Sequence, residues 1–210
     1  MGRIHRLVLA AAMAAAAAPA TASADVFKLY GEAQGGGMYG KGISGEQKGD
    51  SFFGRGKGGA YGVQVGAQIL VFDGHISHRQ YVNGDGLKTW TQFGVGLHFG
   101  IDSGTEQEKK VGKGGYASVG AGAAFGIGTG AQVMPPLDNS ELTDKGFLLE
   151  GRFDFGKHLN KVFDIGIAVP ASYGYFFKSG NGATANNLET HYQSIQVEAL
   201  LVLRANIRFL

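Results

Sequence analysis

An all-β chain, folded as an antiparallel up-and-down transmembrane barrel of about eight strands, is what the sequence predicts. Apolar residues recur with period two in segment after segment, the longest covering residues 195–209, and the opposing positions are polar and rich in glycine. Such alternation marks a strand with one apolar face. Globular strands usually have five or six residues, whereas a strand crossing a bilayer needs about 9–11. A third observation is that short and long connections alternate, as they do when strands run up and down between two unlike ends.

Residues 1–24 read as an export signal. Arg3, His5 and Arg6 form a positive start, residues 7–18 are apolar, and Ala22-Ser23-Ala24 is a small-x-small cleavage site. The apolar stretch is well short of the roughly 20 residues of a membrane helix. Cleavage before Asp25 removes two Arg and leaves basic and acidic residues equal in number, with 25–210 as the barrel.

The first strand, about 26–39, sets Phe27, Leu29 and Ala33 against Lys28, Glu32 and Gln34. The second sets Tyr61, Val63, Val65, Ala67, Ile69 and Val71 against Gly62, Gln64, Gly66 and Gln68. Asp73-Gly74 reads as a two-residue hairpin turn. A weaker strand, about 75–82, has Ile76 and Val82 as its clear apolar members. Next, Thr91, Phe93, Val95, Leu97 and Phe99 oppose Gln92, Gly94, Gly96 and His98. In the fifth, about 114–129, Ala117, Val119, Ala121, Ala123, Phe125 and Ile127 oppose Ser118, Gly120, Gly122, Gly126 and Gly128. Phe147, Leu149, Phe153 and Phe155 then oppose Glu150, Arg152 and Asp154; Phe163, Ile165, Ile167, Val169, Tyr173 and Tyr175 oppose Asp164, Gly166, Ser172 and Gly174. The last strand carries Ile195, Val197, Leu201, Leu203, Ile207 and Phe209 against Gln196, Glu198, Arg204, Asn206 and Arg208.

A soluble sandwich would turn the apolar face inward, and a membrane barrel turns it to lipid. Strand length and a glycine-rich polar face, suited to a crowded lumen, favour the barrel. The connections run 40–57, 73–74, 83–89, 101–113, 130–145, 156–161 and 178–190. The odd-numbered ones form the outer end. The 101–113 connection is long for an inner turn. Aromatics fall at strand ends: Tyr39, Tyr61, Tyr81, Trp90, Tyr175 and Tyr192 outside, Phe27, Phe72, Phe99, Phe155, Phe163 and Phe209 inside, with Tyr116 also at an inner end. Two girdles of this kind are expected at membrane interfaces.

An export signal, eight alternating strands and an apolar final strand together resemble the small bacterial outer-membrane barrels of the OmpA/OmpX/OmpW type. The resemblance spans the mature chain and is architectural. In that group the assembly signal is an alternating last strand commonly ending in an aromatic; here Phe209 is penultimate and Leu210 follows. The resemblance implies residence in a Gram-negative outer membrane, contact with its lipid, lipopolysaccharide and barrel assembly machinery, an exposed loop surface, and no cofactor.

Composition narrows the chemistry. The 210-residue chain has no Cys, which removes disulfides and thiolate zinc sites, and a net charge of +2, which does not indicate a nucleic-acid partner. His75-Ile76-Ser77 matches an H-x-S pair of outer-membrane lipid-cleaving barrels; residues i and i+2 share a strand face, so an imidazole could activate the hydroxyl. The sequence identifies no carboxylate to orient that His. His75 and His78 fall on opposite faces and cannot chelate one ion together. Gly35-x-Gly37-x-x-Gly40 and Gly54-x-Gly56-x-x-Gly59 match the dinucleotide fingerprint without its βαβ context. Lys41, Lys48, Arg55 and Lys57, beside Glu46 and Asp50, could meet lipopolysaccharide phosphates. Asp138, Glu141 and Asp144 could share a divalent cation, although their spacing is no recognised calcium loop.

The lumen face carries the principal candidates: Lys28, Glu32, Glu150, Arg152, Asp154, Asp164, Glu198, Arg204 and Arg208. Buried charges need partners, and an eight-stranded barrel has room only for its own side chains. The expectation is a polar plug, with Glu150 or Asp154 pairing to an Arg of a facing strand. The fifth strand's glycines leave space that is either filled by Arg side chains from across the barrel or kept as a small cavity. The resulting reading is a non-catalytic barrel with a structural or surface-interaction role. The alternatives are a narrow channel or carrier for small solutes and a lipid-modifying enzyme.

Overall fold

The computed structural model describes residues 27–45, 53, 55–83, 86–132, 142–179 and 191–209. The predicted export signal lies outside them. Eight strands follow in order: β1 (Phe27–Gly45), β2 (Arg55–Ile69), β3 (Phe72–Asn83), β4 (Gly86–Asp102), β5 (Gly115–Gln132), β6 (Leu142–His158), β7 (Phe163–Ser179) and β8 (His191–Phe209). Each pairs antiparallel with its sequence neighbour, and β8 returns to β1, so the sheet is a closed barrel without a free edge. The seam runs from Phe27↔Phe209 through Glu32↔Arg204 to Gly45↔Tyr192, with one register shift between Gly42 and Ser44.

Parity sorts the faces as the alternation predicts. Phe72, Leu149 and Leu201 are 64%, 64% and 61% exposed on the outside, while Glu32, Gln64, Asp154 and Glu198 are buried inside. Large apolar residues cover the outer surface of all eight strands, among them Leu29, Val63, Ile76, Phe93, Val119, Phe153, Ile167 and Leu203.

The tight turn lies elsewhere than predicted. Residues 70–71 form it, Leu70 taking φ 55, and Asp73 and Gly74 belong to β3. Ile69 pairs with Phe72. A turn at 73–74 would leave Phe72 facing the lumen. The earlier turn sends Phe72 out and Asp73 in, where its carboxylate accepts from Tyr30 and His75. Those gains override the local turn preference of Asp-Gly.

The long inner connection is occupied by a short helix, α1 (Glu106–Lys110). Thr105 caps it: its hydroxyl accepts from the Glu108 N–H, while the Glu108 carboxylate accepts from the Thr105 N–H. This is a capping box. These bonds, the one from the Thr105 backbone first, hold the Glu108 carboxyl below the usual glutamate range. Lys109 tucks inward onto Asp102 at 3.0 Å.

The predicted outer girdle is half correct. Tyr39 and Tyr61 are exposed outside, but Tyr81, Trp90 and Tyr192 are buried in the lumen. Tyr116 also faces inward, under the Arg204 guanidinium at 5.2 Å. Strand parity decides these cases: Trp90 shares the even face of β4 with Gln92, and Tyr192 that of β8 with Glu198.

Candidate functional site

The inward-facing side chains of the barrel stand in layers. At its centre two guanidinium groups hold two carboxylates. Arg152 Nη2 donates to Glu32 Oε2 at 2.7 Å and to Asp154 Oδ1 at 2.6 Å. Arg204 contacts the same two acids, with Nε to Glu32 Oε1 at 2.5 Å and Nη2 to Asp154 Oδ1 at 2.9 Å. Asp154 and Arg204 stand on β6 and β8, which are not neighbours, so this pair crosses the interior. The bidentate arrangement satisfies most acid oxygens, as buried charge requires.

The other candidates separate from this core. Glu198 faces Arg79 Nη1 at 3.4 Å and accepts from the Tyr81 hydroxyl at 3.1 Å. Asp164 contacts His158 Nδ1 at 2.6 Å and accepts from Asn206 at 2.5 Å. Arg208 reaches Asp102 at 3.1 Å. Lys28 lies over the Tyr30 ring, 5.9 Å from its centroid. Glu150 accepts from Gln92 Nε2 at 2.7 Å.

Sequence reasoning did not place Asp73, Arg79, Lys88 and Asp144 in the lumen, although it named Asp73 as a turn residue and Asp144 as a cation candidate. Arg79 sits on the inner parity of β3, the strand whose alternation is weakest. Lys88 and Asp144 fell inside predicted connections, but β4 and β6 extend over them. Asp144 is fully buried and ion-paired to Lys88, and it accepts from Tyr192 at 3.2 Å. It is therefore turned away from the proposed surface cation site, whose other members, Asp138 and Glu141, lie outside the described residues. Lys48, Glu46 and Asp50 lie outside them too, while Lys41 and Lys57 are exposed on the outer face.

Above the ionic layers stands an aromatic stack. Phe53, from the first outer connection, packs face-on with Phe176 at 5.1 Å and edge-on with Trp90 at 5.6 Å and Tyr81 at 5.2 Å. Phe176 stacks in turn on Tyr192 at 4.8 Å. Glycines make the room: a Cβ on Gly126 or Gly128 would strike the Trp90 indole, and one on Gly40 would strike the Phe53 backbone.

The expected small cavity beside the fifth-strand glycines is present, whereas the space over Gly126 and Gly128 is taken by a residue of the adjacent strand β4 and not by an Arg from across the barrel. Trp90 fills the space over Gly126 and Gly128. Beside Gly120 and Gly122 a cavity of about 60 Å³ remains, lined also by Lys28, Asp73, His75 and Glu150. Here the orienting carboxylate absent from the sequence reading is found: Asp73 Oδ1 lies 3.0 Å from His75 Nδ1. Ser77 shares this inner face but is fully buried, and its Oγ makes no hydrogen bond among the described residues. His78 points outward, to Thr91 Oγ1 at 2.8 Å.

No family model matches the chain, and no curated protein is similar to it in sequence. Among solved structures it is similar to the crystal structure of Neisserial surface protein A, with a TM-score of 0.51 and 13% identity, over 84% of this chain and 96% of that one. At that identity the likeness establishes the fold alone. The chain has the architecture of the small eight-stranded outer-membrane barrels.

Proposed function

We propose that the chain is an integral outer-membrane β-barrel of a Gram-negative cell, exported by a cleaved signal at residues 1–24, with a structural or surface-interaction role and a lumen closed to ions. One observation carries the membrane reading: all eight strands of a closed sheet turn large apolar side chains outward. Contiguous exposed apolar surface on a soluble monomer rarely exceeds a few hundred Å², whereas a lipid-facing barrel requires an apolar band around its whole circumference. Lipid, lipopolysaccharide and the assembly machinery are the corresponding partners. Lys41 and Lys57, exposed at the outer end beside Tyr39, suit lipopolysaccharide phosphates.

Closure rests on the crossed ion pairs and the aromatic stack above them. A continuous channel is disfavoured because that stack covers the cavity side as well as the centre. Against lipid cleavage, the Asp73–His75 dyad faces the lumen, its neighbouring serine is buried, and the face it occupies is turned from the bilayer. Fractionation and planar-bilayer recording test the reading together. Recovery in the outer membrane, a mature N-terminus at Asp25 and little or no conductance are expected. A soluble periplasmic protein, or steady large conductance, would overturn the corresponding part.

A further inference from the structure

The inner end of the barrel carries a surface that the lumen does not explain. The loop after α1 lies against the turn between β6 and β7. The His158 N–H donates to the Gly114 carbonyl at 3.3 Å, and a Cβ on Gly112 would stand 3.1 Å from the Leu159 carbonyl oxygen. Asn160 pins that turn by accepting from the Val162 and Phe163 N–H groups, both at 2.8 Å. Two short segments, residues 110–113 and 157–163, are thereby held together as one surface. They contain four lysines, Lys110, Lys113, Lys157 and Lys161, and no Asp or Glu. All four lysines are exposed. Three neighbouring acids are committed elsewhere. Asp164 is buried against His158, Asp102 holds Lys109 and Arg208, and Glu108, which Lys113 approaches, closes the α1 cap.

The same surface is apolar where it is not basic. Val111, at 69%, is the most exposed large apolar side chain of the described residues, and Leu159 and Val162 are 45% and 42% exposed. A single exposed apolar residue is ordinary. Three among four cations make an interfacial surface, which buries its apolar tips at the acyl boundary and meets phosphate with its charges. Depth agrees with this. Lys157 follows Phe155 on the outward parity of β6 and pairs with Gly115 of β5 and Ile165 of β7. It therefore stands just beyond the exposed inner-end Phe residues, where a bilayer passes from hydrocarbon to headgroup. A lysine there lays its aliphatic stem along the apolar band and its ammonium among the phosphates. A water-soluble polyanion would engage the lysines but leave Val111, Leu159 and Val162 wet.

We infer that this surface docks anionic phospholipid of the leaflet at the inner end. The headgroup phosphate lies on Lys113 and Lys157, the acyl chains lie on Phe155 and Ile165, and Val111, Leu159 and Val162 dip into the headgroup layer. The inference rests on the outer-membrane reading above and adds to it a headgroup preference, at the opposite end of the barrel from Lys41 and Lys57.

Native mass spectrometry of the full barrel in detergent, supplied with equimolar phosphatidylglycerol and phosphatidylcholine of matched chains, tests this. Each lysine near an anionic surface is worth about a fivefold change in affinity. The parent should retain phosphatidylglycerol at least tenfold over phosphatidylcholine. Lys113→Gln with Lys157→Gln should bring the two lipids within twofold of one another; Lys110→Gln with Lys161→Gln serves if that pair does not fold. Lys41→Gln with Lys57→Gln should leave the preference within twofold of the parent. Val111→Ser should weaken retention of both lipids. Glycerol phosphate and polyglutamate, in excess, should not displace the bound lipid. Vesicle flotation and heat-modifiable gel mobility accompany every variant. A parent that does not insert into vesicles overturns the membrane reading itself. With insertion intact, three results overturn the inference: equal retention of the two lipids, a preference that survives loss of the inner-end lysines, or one lost equally with Lys41 and Lys57. Displacement by glycerol phosphate or polyglutamate overturns it in favour of a soluble phosphate or an acidic polymer.

Discussion

Arg152→Met is the most informative single substitution. Arg152 holds Glu32 and Asp154, whose side chains are each 1% exposed, and its Nη1 also donates to Gln64 Oε1 at 3.2 Å. Methionine approximates the length of the aliphatic stem and removes the charge. Two buried carboxylates would then share Arg204 alone. Removing one partner of a buried pair costs about 3–5 kcal/mol; because Arg204 stays within 2.9 Å of both acids, the loss should fall near the lower limit, about 3 kcal/mol. Adding Glu32→Gln restores the balance of one acid to one base. The double variant should therefore recover about 1–2 kcal/mol, within the usual coupling range of contacting residues. Urea unfolding in lipid vesicles measures this, with Trp90, the chain's single Trp and a buried one, as the fluorescent reporter. Arg152→Met within about 0.5 kcal/mol of the parent, or a double variant no better than the single, would refute the claim that these charges are buried and mutually dependent.

Phe153→Arg puts a cation on the outer band and should cost about 2–4 kcal/mol if it sits near the bilayer midplane, read by the same unfolding assay; a harmless outcome would remove lipid from that face. Phe53→Ala combined with Trp90→Ala should open the outer mouth and raise single-channel conductance above the parent's. No rise would mean that the ionic layers close the lumen unaided. Acidification should loosen α1: the Glu108 carboxyl titrates below its unfolded value, so its cap is complete above the ordinary glutamate range and is lost as pH falls through the lowered value. NMR shifts of the α1 amides should show this, and Glu108→Gln should abolish the acid dependence.

The alternation made the strands, their faces and the lumen acids legible because a closed barrel repeats one rule at every position: odd or even decides lipid or lumen. Where the sequence misled, a long-range contact had outweighed a local signal. Asp73-Gly74 is a good turn dipeptide, yet Asp73 bonds Tyr30, 43 residues away. Asp144 reads as a loop acid until Lys88, 56 residues distant, is seen beside it. Trp90 reads as an interfacial aromatic by its place at a strand end, whereas its parity sends it inward over Gly126 and Gly128. The central pairs could be anticipated as a class but not partner by partner, since which acid meets which Arg depends on the stagger of strands around the barrel. That stagger leaves no trace in the residues of any one strand. Even the cavity follows from it, because only the assembled barrel sets His75 and Glu150 opposite one another.

The β1–β8 seam has a consequence for how the molecule comes into being. Its strands are the first and last described, and the Glu32–Arg204 contact across it joins residues 172 apart. No cooperative unit smaller than the entire sheet can shield its backbone, so the last strand must be made before the cylinder can shut. Chains dominated by such distant contacts close slowly because their loop entropy is lost before any bond compensates for it. During that interval the polypeptide carries eight strands with apolar faces and unpaired edges. The seam also proofreads: a slip of one residue between β1 and β8 would turn Arg204 to the hydrocarbon and Leu203 to the acids, so misaligned closure is rejected by charge as well as by shape.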